Sequence, residues 1–252
     1  MEINTKNLFF FKQKGMLAII FLILLQYKNI DAQPVFKNPG ISAFESFEMY
    51  DHIDTVDKYV VAKASITLKE RNGLKYYYII VNEGSFYTNE IEVNFNDLTT
   101  ISEKRTDLTD NSVEEYFTHY NNLVHFYNKI NHIKKNVQTS EKNIYSRYAY
   151  FLSFRGFPFE SEKSVSFKSY MYEYGDALTM KVTNLGKQTV LVKAGNFECY
   201  KLELAVGSWQ SFFASDKVYL YFTMAKPHYF VKYEEKDEKG HWNTNELIRM
   251  GN

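Results

Sequence analysis

Apolar residues recur at every second position over long stretches of this chain. Val60, Ala62, Ala64, Ile66 and Leu68 share one parity ahead of Asn72-Gly73, and the run Tyr76 to Val81 follows. An Asn-Gly pair supplies the two positive backbone angles of a tight hairpin turn, so the flanking runs predict two antiparallel strands. Further on, Tyr87, Ile91, Val93 and Phe95 alternate with Thr88, Glu90, Glu92 and Asn94, the pattern of a strand with one wet face.

The second half continues in the same way, with predicted strands over Thr179–Asn184, Gln188–Lys193, Phe197–Leu204, Lys217–Thr223 and His228–Glu234. Turn residues separate most of them: Asn184-Leu185-Gly186, Gly195-Asn196 and Pro227. Val218 to Phe222 and Tyr229 to Tyr233 carry apolar or aromatic groups on both faces, so these strands must be covered on both sides, or on one side and by a cavity.

Two stretches follow the helical period. Ile144, Tyr148, Phe151 and Leu152 fall on one helix face, with Asn143 as a cap, and predict a helix over Asn143–Leu152. Between 113 and 133, Val113, Tyr116, Phe117, Tyr120, Leu123, Val124, Tyr127 and Ile130 also fit that period. The same stretch is rich in Tyr, Phe and Val, and Asn121-Asn122 stands where a hairpin would turn. Periodicity alone leaves this segment open.

Over 252 residues the chain is 45% hydrophobic and 17% aromatic, which excludes a disordered or collagen-like protein. Lys6, Lys12 and Lys14 precede the ten apolar residues Met16 to Leu25, and Ile30-Asp31-Ala32 follows as a cleavage site. A membrane-spanning helix needs about 20 apolar residues, so residues 1–32 are expected to be a secretory signal peptide and 33–252 a single β-rich domain. Removing 1–32, with four lysines and two acids, leaves 26 basic and 28 acidic residues. That balance lacks the basic excess of a nucleic-acid binder. Cys199 is the single cysteine, so no intrachain disulfide forms. The expected product is exported, periplasmic or extracellular, with no transmembrane span after cleavage; the sequence specifies no oligomeric state.

From about Asn143 onward the order of features is that of a known family: a short aromatic helix, Phe157-Pro158-Phe159, a strand pair around Tyr174-Gly175-Asp176, and Val192-Lys-Ala-Gly195-Asn-Phe197-Glu-Cys199 leading into a strand. This resembles a secreted bacterial family of unknown function with a V-x-A-G-x-F-x-C signature, whose members are similar in fold to periplasmic lipoprotein carriers. The resemblance implies a mainly β (α+β) fold in which a strongly curved antiparallel sheet, a half-barrel, wraps around one or more short helices. It also favours a hairpin at 113–133. Gly195 permits a tight reversal, and Phe197 and Cys199 place two apolar groups on one side of the outgoing strand, which makes the signature structural.

No preset chemistry stands out. His52, His119, His125, His132, His228 and His241 form no ligand spacing, so no metal is expected, and there is no nucleophile elbow, phosphate loop or dinucleotide fingerprint. Cys199 in mid-strand is the setting of an inert thiol. Glu160, Glu162, Glu234, Glu235, Asp237 and Glu238 could supply a glycosidase pair, but 234–240 reads as a solvated hairpin tip. No catalytic residue and no cofactor is assigned. The informative excess is 21 Tyr and 21 Phe. Part fills the core; the rest is expected to line a cavity, with Tyr148 and Phe151 on the helix facing Tyr219, Tyr221 and Phe230 on the sheet, for an apolar or lipid-like ligand. The rival expectations are a structural or interaction protein whose trough is packed solid by its own helix, and a carbohydrate-binding or carbohydrate-cleaving protein using surface Tyr with Trp209 or Trp242.

Overall fold

The computed structural model describes residues 35–53, 58–120, 123–139, 143–171, 176–206, 217–236 and 240–251. The signal-peptide segment, Asn121-Asn122, Tyr174-Gly175, Trp209, Phe212, Phe213, Asp237 and Glu238 lie outside them. In chain order the strands are β1 (Phe44–Ile53), β2 (Lys58–Arg71), β3 (Leu74–Glu83), β4 (Tyr87–Asn94), β5 (Thr100–Asp107), β6 (Val113–Tyr120), β7 (Leu123–Asn128), β8 (Ile133–Gln138) and β9 (Ile144–Ser146). After a helical segment come β10 (Ser164–Met171), β11 (Asp176–Val192), β12 (Gly195–Val206), β13 (Lys217–Thr223), β14 (Phe230–Lys236) and β15 (Trp242–Gly251).

All belong to one curved, unclosed sheet in the order β8 to β1, then β15 back to β9. Neighbours are antiparallel throughout, apart from the parallel contact of β9 with β10. The fold is thus two meanders joined where β15 pairs with β1. The far end of the second meander reaches the first: the Ser146 backbone N–H donates to Thr100 Oγ1 (2.9 Å), the Ser146 hydroxyl donates to Glu103, and the Tyr170 ring packs on Phe117 and Phe126. The half-barrel with a short inner helix is the architecture expected.

Local readings fare unevenly. Asn72 and Gly73 adopt φ of 54° and 77° and join β2 to β3 as a hairpin, and 113–133 is the β6–β7 hairpin, not a helix. By contrast, Asn184-Leu185-Gly186 is no turn. β11 runs through it as one 17-residue strand, and a register shift at Asn184/Gly186 absorbs an extra residue, with Gly186 at φ 111°. Such a bulge bends a strand without ending it. The helix expected over Asn143–Leu152 also starts later. Ile144–Ser146 pair with Lys168–Tyr170 as β9, and only then do a 3-10 turn (Arg147–Ala149), α1 (Tyr150–Ser153) and a second 3-10 turn (Phe154–Gly156) follow. Extended backbone sends Ile144 into the cluster of Phe117, Val124, Phe126 and Tyr170, while the helical turn carries Leu152 to Ile66, Tyr77, Ile79 and Ile91. One continuous helix would point both along one face.

The helical segment fills the flanks of the trough. Tyr150, Phe154 and Phe157 pack with Phe36, Phe167, Leu202 and Phe222 on one side; Ala149 and Leu152 pack on β2–β4 on the other. Polar anchors fix it in place. Ser153 Oγ donates to the Leu98 carbonyl (2.9 Å), and the Arg155 guanidinium donates to both Glu45 carboxylate oxygens at 2.6 and 3.1 Å, with each side chain 3% exposed.

Candidate functional site

Alternation sets which side chains reach the hollow side, and small residues decide where it stays open. Along β2 the inward parity reads Ala62, Ala64, Ile66: Ile66 meets Leu152 of the helical segment, whereas the two alanines stop short. The result is a cavity of about 730 Å³ between the sheet and the N-terminal side of the helical segment. It falls in the range of small-molecule sites, roughly 300–1,000 Å³. The expectation of a trough packed solid does not describe this region.

The cavity is apolar at one end and polar at the other. Phe47 and Met49 on β1, Ile91 on β4, Leu204 on β12, Leu220 on β13 and Phe230 on β14 form the apolar part with Phe151. Phe151 stands edge-on to Phe47 (5.4 Å between centroids) and tilted toward Phe230 (6.4 Å). Two residues on from Met49, Val81 and Tyr233 the lining turns polar at Asp51 on β1, Glu83 on β3 and Glu235 on β14, two before Ile91 at Asn89 on β4, and β15 adds Asn243 and Asn245. Register holds them together, since Asp51 opposes Asn245, Asn245 opposes Tyr233, and Asn243 opposes Glu235.

Two arginines line this end, and each is tied to a carboxylate. Arg105 donates to both oxygens of Glu83 at 2.8 Å and to Asn89 Oδ1 at 3.3 Å, with its guanidinium over the Tyr87 ring (4.0 Å). Arg147 Nη2 lies 3.1 Å from the Tyr148 hydroxyl and 3.6 Å from Glu115. The Tyr148 hydroxyl in turn donates to Glu115 Oε2 (3.1 Å), and Asn128 donates to the other oxygen (2.9 Å). Burial raises the Tyr148 and Tyr233 phenols well above their usual range, so both stay protonated donors. Burial, reinforced by the negative charge of Glu83, pushes the Asp51 carboxyl up to about 6.

Of the expected lining residues, Tyr148, Phe151 and Phe230 face the cavity. Tyr219 and Tyr221 do not. On β13 the inward parity is taken by Val218 and Leu220, which puts the two tyrosines on the outer face. There the Tyr221 hydroxyl donates to Glu234 (2.6 Å), and Tyr219 stacks on Trp242 with the Lys201 ammonium 3.9 Å from its ring centre. A phenol gains from the outer face, where its hydroxyl finds a charged partner. At the turn into β12 Gly195 has φ 127°, and Phe197 and Cys199 lie together with Val190, Val192 and Tyr221. Burial pushes the Cys199 thiol up to about 12, the reverse of a nucleophile.

The sequence reading missed Ala62, Ala64, Asp51, Glu83, Arg105 and Arg147. The available signal was parity: Asp51 and Glu83 continue the inward series Phe47, Met49 and Ile79, Val81. Among the described residues no group of three His, Cys, Asp or Glu could hold a metal. Of the carboxylates weighed for glycoside cleavage, Glu160 accepts from the Tyr200 hydroxyl, Glu234 from Tyr221 and Lys232, and Glu235 lines the cavity. No helix of the described residues is long and apolar enough to cross a membrane.

No family model matches the chain, and no curated protein matches it. Among solved structures, it is similar to a beta-barrel-like protein of the domain of unknown function DUF1849 from Brucella abortus (6% identity, 82% of this chain and 95% of that one, TM-score 0.45). It is also similar to a candidate exported protein with a YmcC-like fold from Bacteroides fragilis (10% identity, 86% and 100%, TM-score 0.30). A third is a candidate lipoprotein from Parabacteroides distasonis (12% identity, 88% and 100%, TM-score 0.34).

Proposed function

We propose that this chain is an exported envelope protein, freed of residues 1–32 and acting without catalysis, that binds one apolar or amphipathic molecule in the hollow of its half-barrel. The observation that carries the reading is the cavity itself, oily around Phe47, Phe151, Leu220 and Phe230 and polar around Asp51, Asn89 and Asn243. Apolar surface buried there contributes about 25 cal/mol per Å². The leader-like pattern of residues 1–32 supports export to the periplasm or beyond.

An uncharged environment-sensitive dye, N-phenyl-1-naphthylamine, tests the reading without presuming a head group. Saturable one-to-one binding, displaced by single-chain amphiphiles and lost in Ala64→Trp, is the expected outcome. Dye binding that is absent, or unchanged by filling the cavity with indole, would remove the proposal.

A further inference from the structure

The chemistry of the ligand's head follows from which polar groups of the cavity are already satisfied. Arg105 is committed to Glu83 and Asn89, and Arg147 to Glu115 and the Tyr148 hydroxyl. Both guanidinium groups of the lining thus have their carboxylate within the protein, which leaves little to attract an anionic head. The groups left over are acceptors. Asp51 and Glu235 have no ion-pair partner among the described side chains; Glu235 accepts from the Tyr233 hydroxyl. Opposite Glu235 in register, and two residues along β15 from the Asn245 that opposes Asp51, the Asn243 side-chain oxygen is shut off from solvent and accepts no hydrogen bond among the described residues.

A shielded acceptor without a donor, beside two carboxylates without a cation, calls for a group that is both donor and positively charged. Resting on the reading that the cavity binds a ligand, we propose that it selects a single-chain amphiphile headed by a protonated amine. The ammonium donates to Asp51, Glu235 and Asn243 Oδ1, and the chain runs between Phe47, Phe151, Leu220 and Phe230. The upward displacement of the Asp51 carboxyl agrees with this, because burial and Glu83 raise it and outweigh the opposing influence of His52. An ammonium has three donors for three acceptors. A carboxylate or phosphate head in the same place meets like charge and supplies no donor.

The test compares three amphiphiles with the same dodecyl chain, each below its micelle-forming concentration, as displacers of the bound dye near neutral pH: dodecylammonium, uncharged dodecyl maltoside and laurate. Dodecylammonium is expected to displace at a concentration about tenfold lower than laurate. Asp51→Asn and Glu235→Gln are each expected to shrink that preference at least about threefold, read as the ratio of laurate to dodecylammonium displacing concentrations within each variant. Glu235→Gln carries the comparison alone if Asp51→Asn does not fold. Equal displacement by all three, or a preference for laurate, overturns the assignment of the head while the cavity reading stands. Failure of the dye to bind at all overturns both.

Discussion

Replacing Arg155 by Met should unfold this protein far more readily than any surface change, and the structure fixes why. The guanidinium holds Glu45 across 110 residues of sequence through two hydrogen bonds, donates from Nε to the Pro227 carbonyl (2.9 Å), and lies 4.9 Å from the centre of the Tyr229 ring. Among the described residues, Glu45 accepts otherwise from the Ser42 backbone N–H (3.1 Å). With both side chains 3% exposed, removing either partner leaves the other charge stranded, at a loss of about 3–5 kcal/mol. That is a large share of a typical domain's stability of about 5–15 kcal/mol. Removing both charges is different: Glu45→Leu with Arg155→Met should recover most of the loss, leaving a deficit of about 1 kcal/mol for the Pro227 carbonyl that loses its donor. Urea unfolding of the four proteins closes a double-mutant cycle with a coupling of about 5–9 kcal/mol, the sum of the two single losses less the deficit of the double variant. Single variants that lose less than about 1 kcal/mol, the behaviour of an exposed pair, would refute the argument that this pair clamps the helical segment to β1.

Three further outcomes follow. Asp51→Asn should stabilise the protein near neutral pH by about 2 kcal/mol, allowing for partial solvent screening of a half-buried group. Because the folded-state value of about 6 lies above the ordinary 3.8, the folded form binds the proton first, so wild-type stability attributable to Asp51 rises as pH falls from about 6 toward 4. His52, Glu83 and Tyr233 are the charged or titratable groups around it, and the difference between wild type and variant in urea melts at the two pH values isolates Asp51; a difference independent of pH would contradict the shift. Gly156→Ala should lower stability by about 1–3 kcal/mol, since a Cβ there would lie 2.5 Å from the Lys37 carbonyl oxygen and 2.9 Å from Leu98 Cδ1; an unchanged thermal midpoint would contradict the close approach. Cys199 should resist a disulfide thiol reagent in the folded protein at mildly alkaline pH and react fully in denaturant, whereas fast native labelling would show the thiol is not buried as described.

The strands were legible because burial on one face imposes period two, and Asn72-Gly73 can take positive φ at both positions with little strain. Legibility failed where two local rules gave the same symbols. Asn184-Leu185-Gly186 has the composition of a turn, but Gly186 serves a bulge inside β11, and only pairing with β12 distinguishes the two. Ile144, Tyr148 and Leu152 keep a helical spacing although the backbone is extended for the first and helical after it, because separate clusters receive them. On β13 both parities are apolar, so sequence could not say that Leu220 faces in and Tyr221 out; the choice falls to Glu234, which gives the outer phenol a partner. The cavity was the hardest to foresee. It exists because Ala62 and Ala64 stop short opposite residues far away in sequence, a property of no single segment.

Diffraction from crystals grown with a single-chain amphiphile carrying a terminal bromine is the most direct measurement of the claim that the hollow of the sheet is a binding site. The account expects an anomalous bromine peak among Phe47, Phe151, Leu220 and Phe230, with the head toward Asp51 and Asn243. A peak on the outer face beside Tyr219 and Trp242, or side chains closing the space in the crystal, would contradict it.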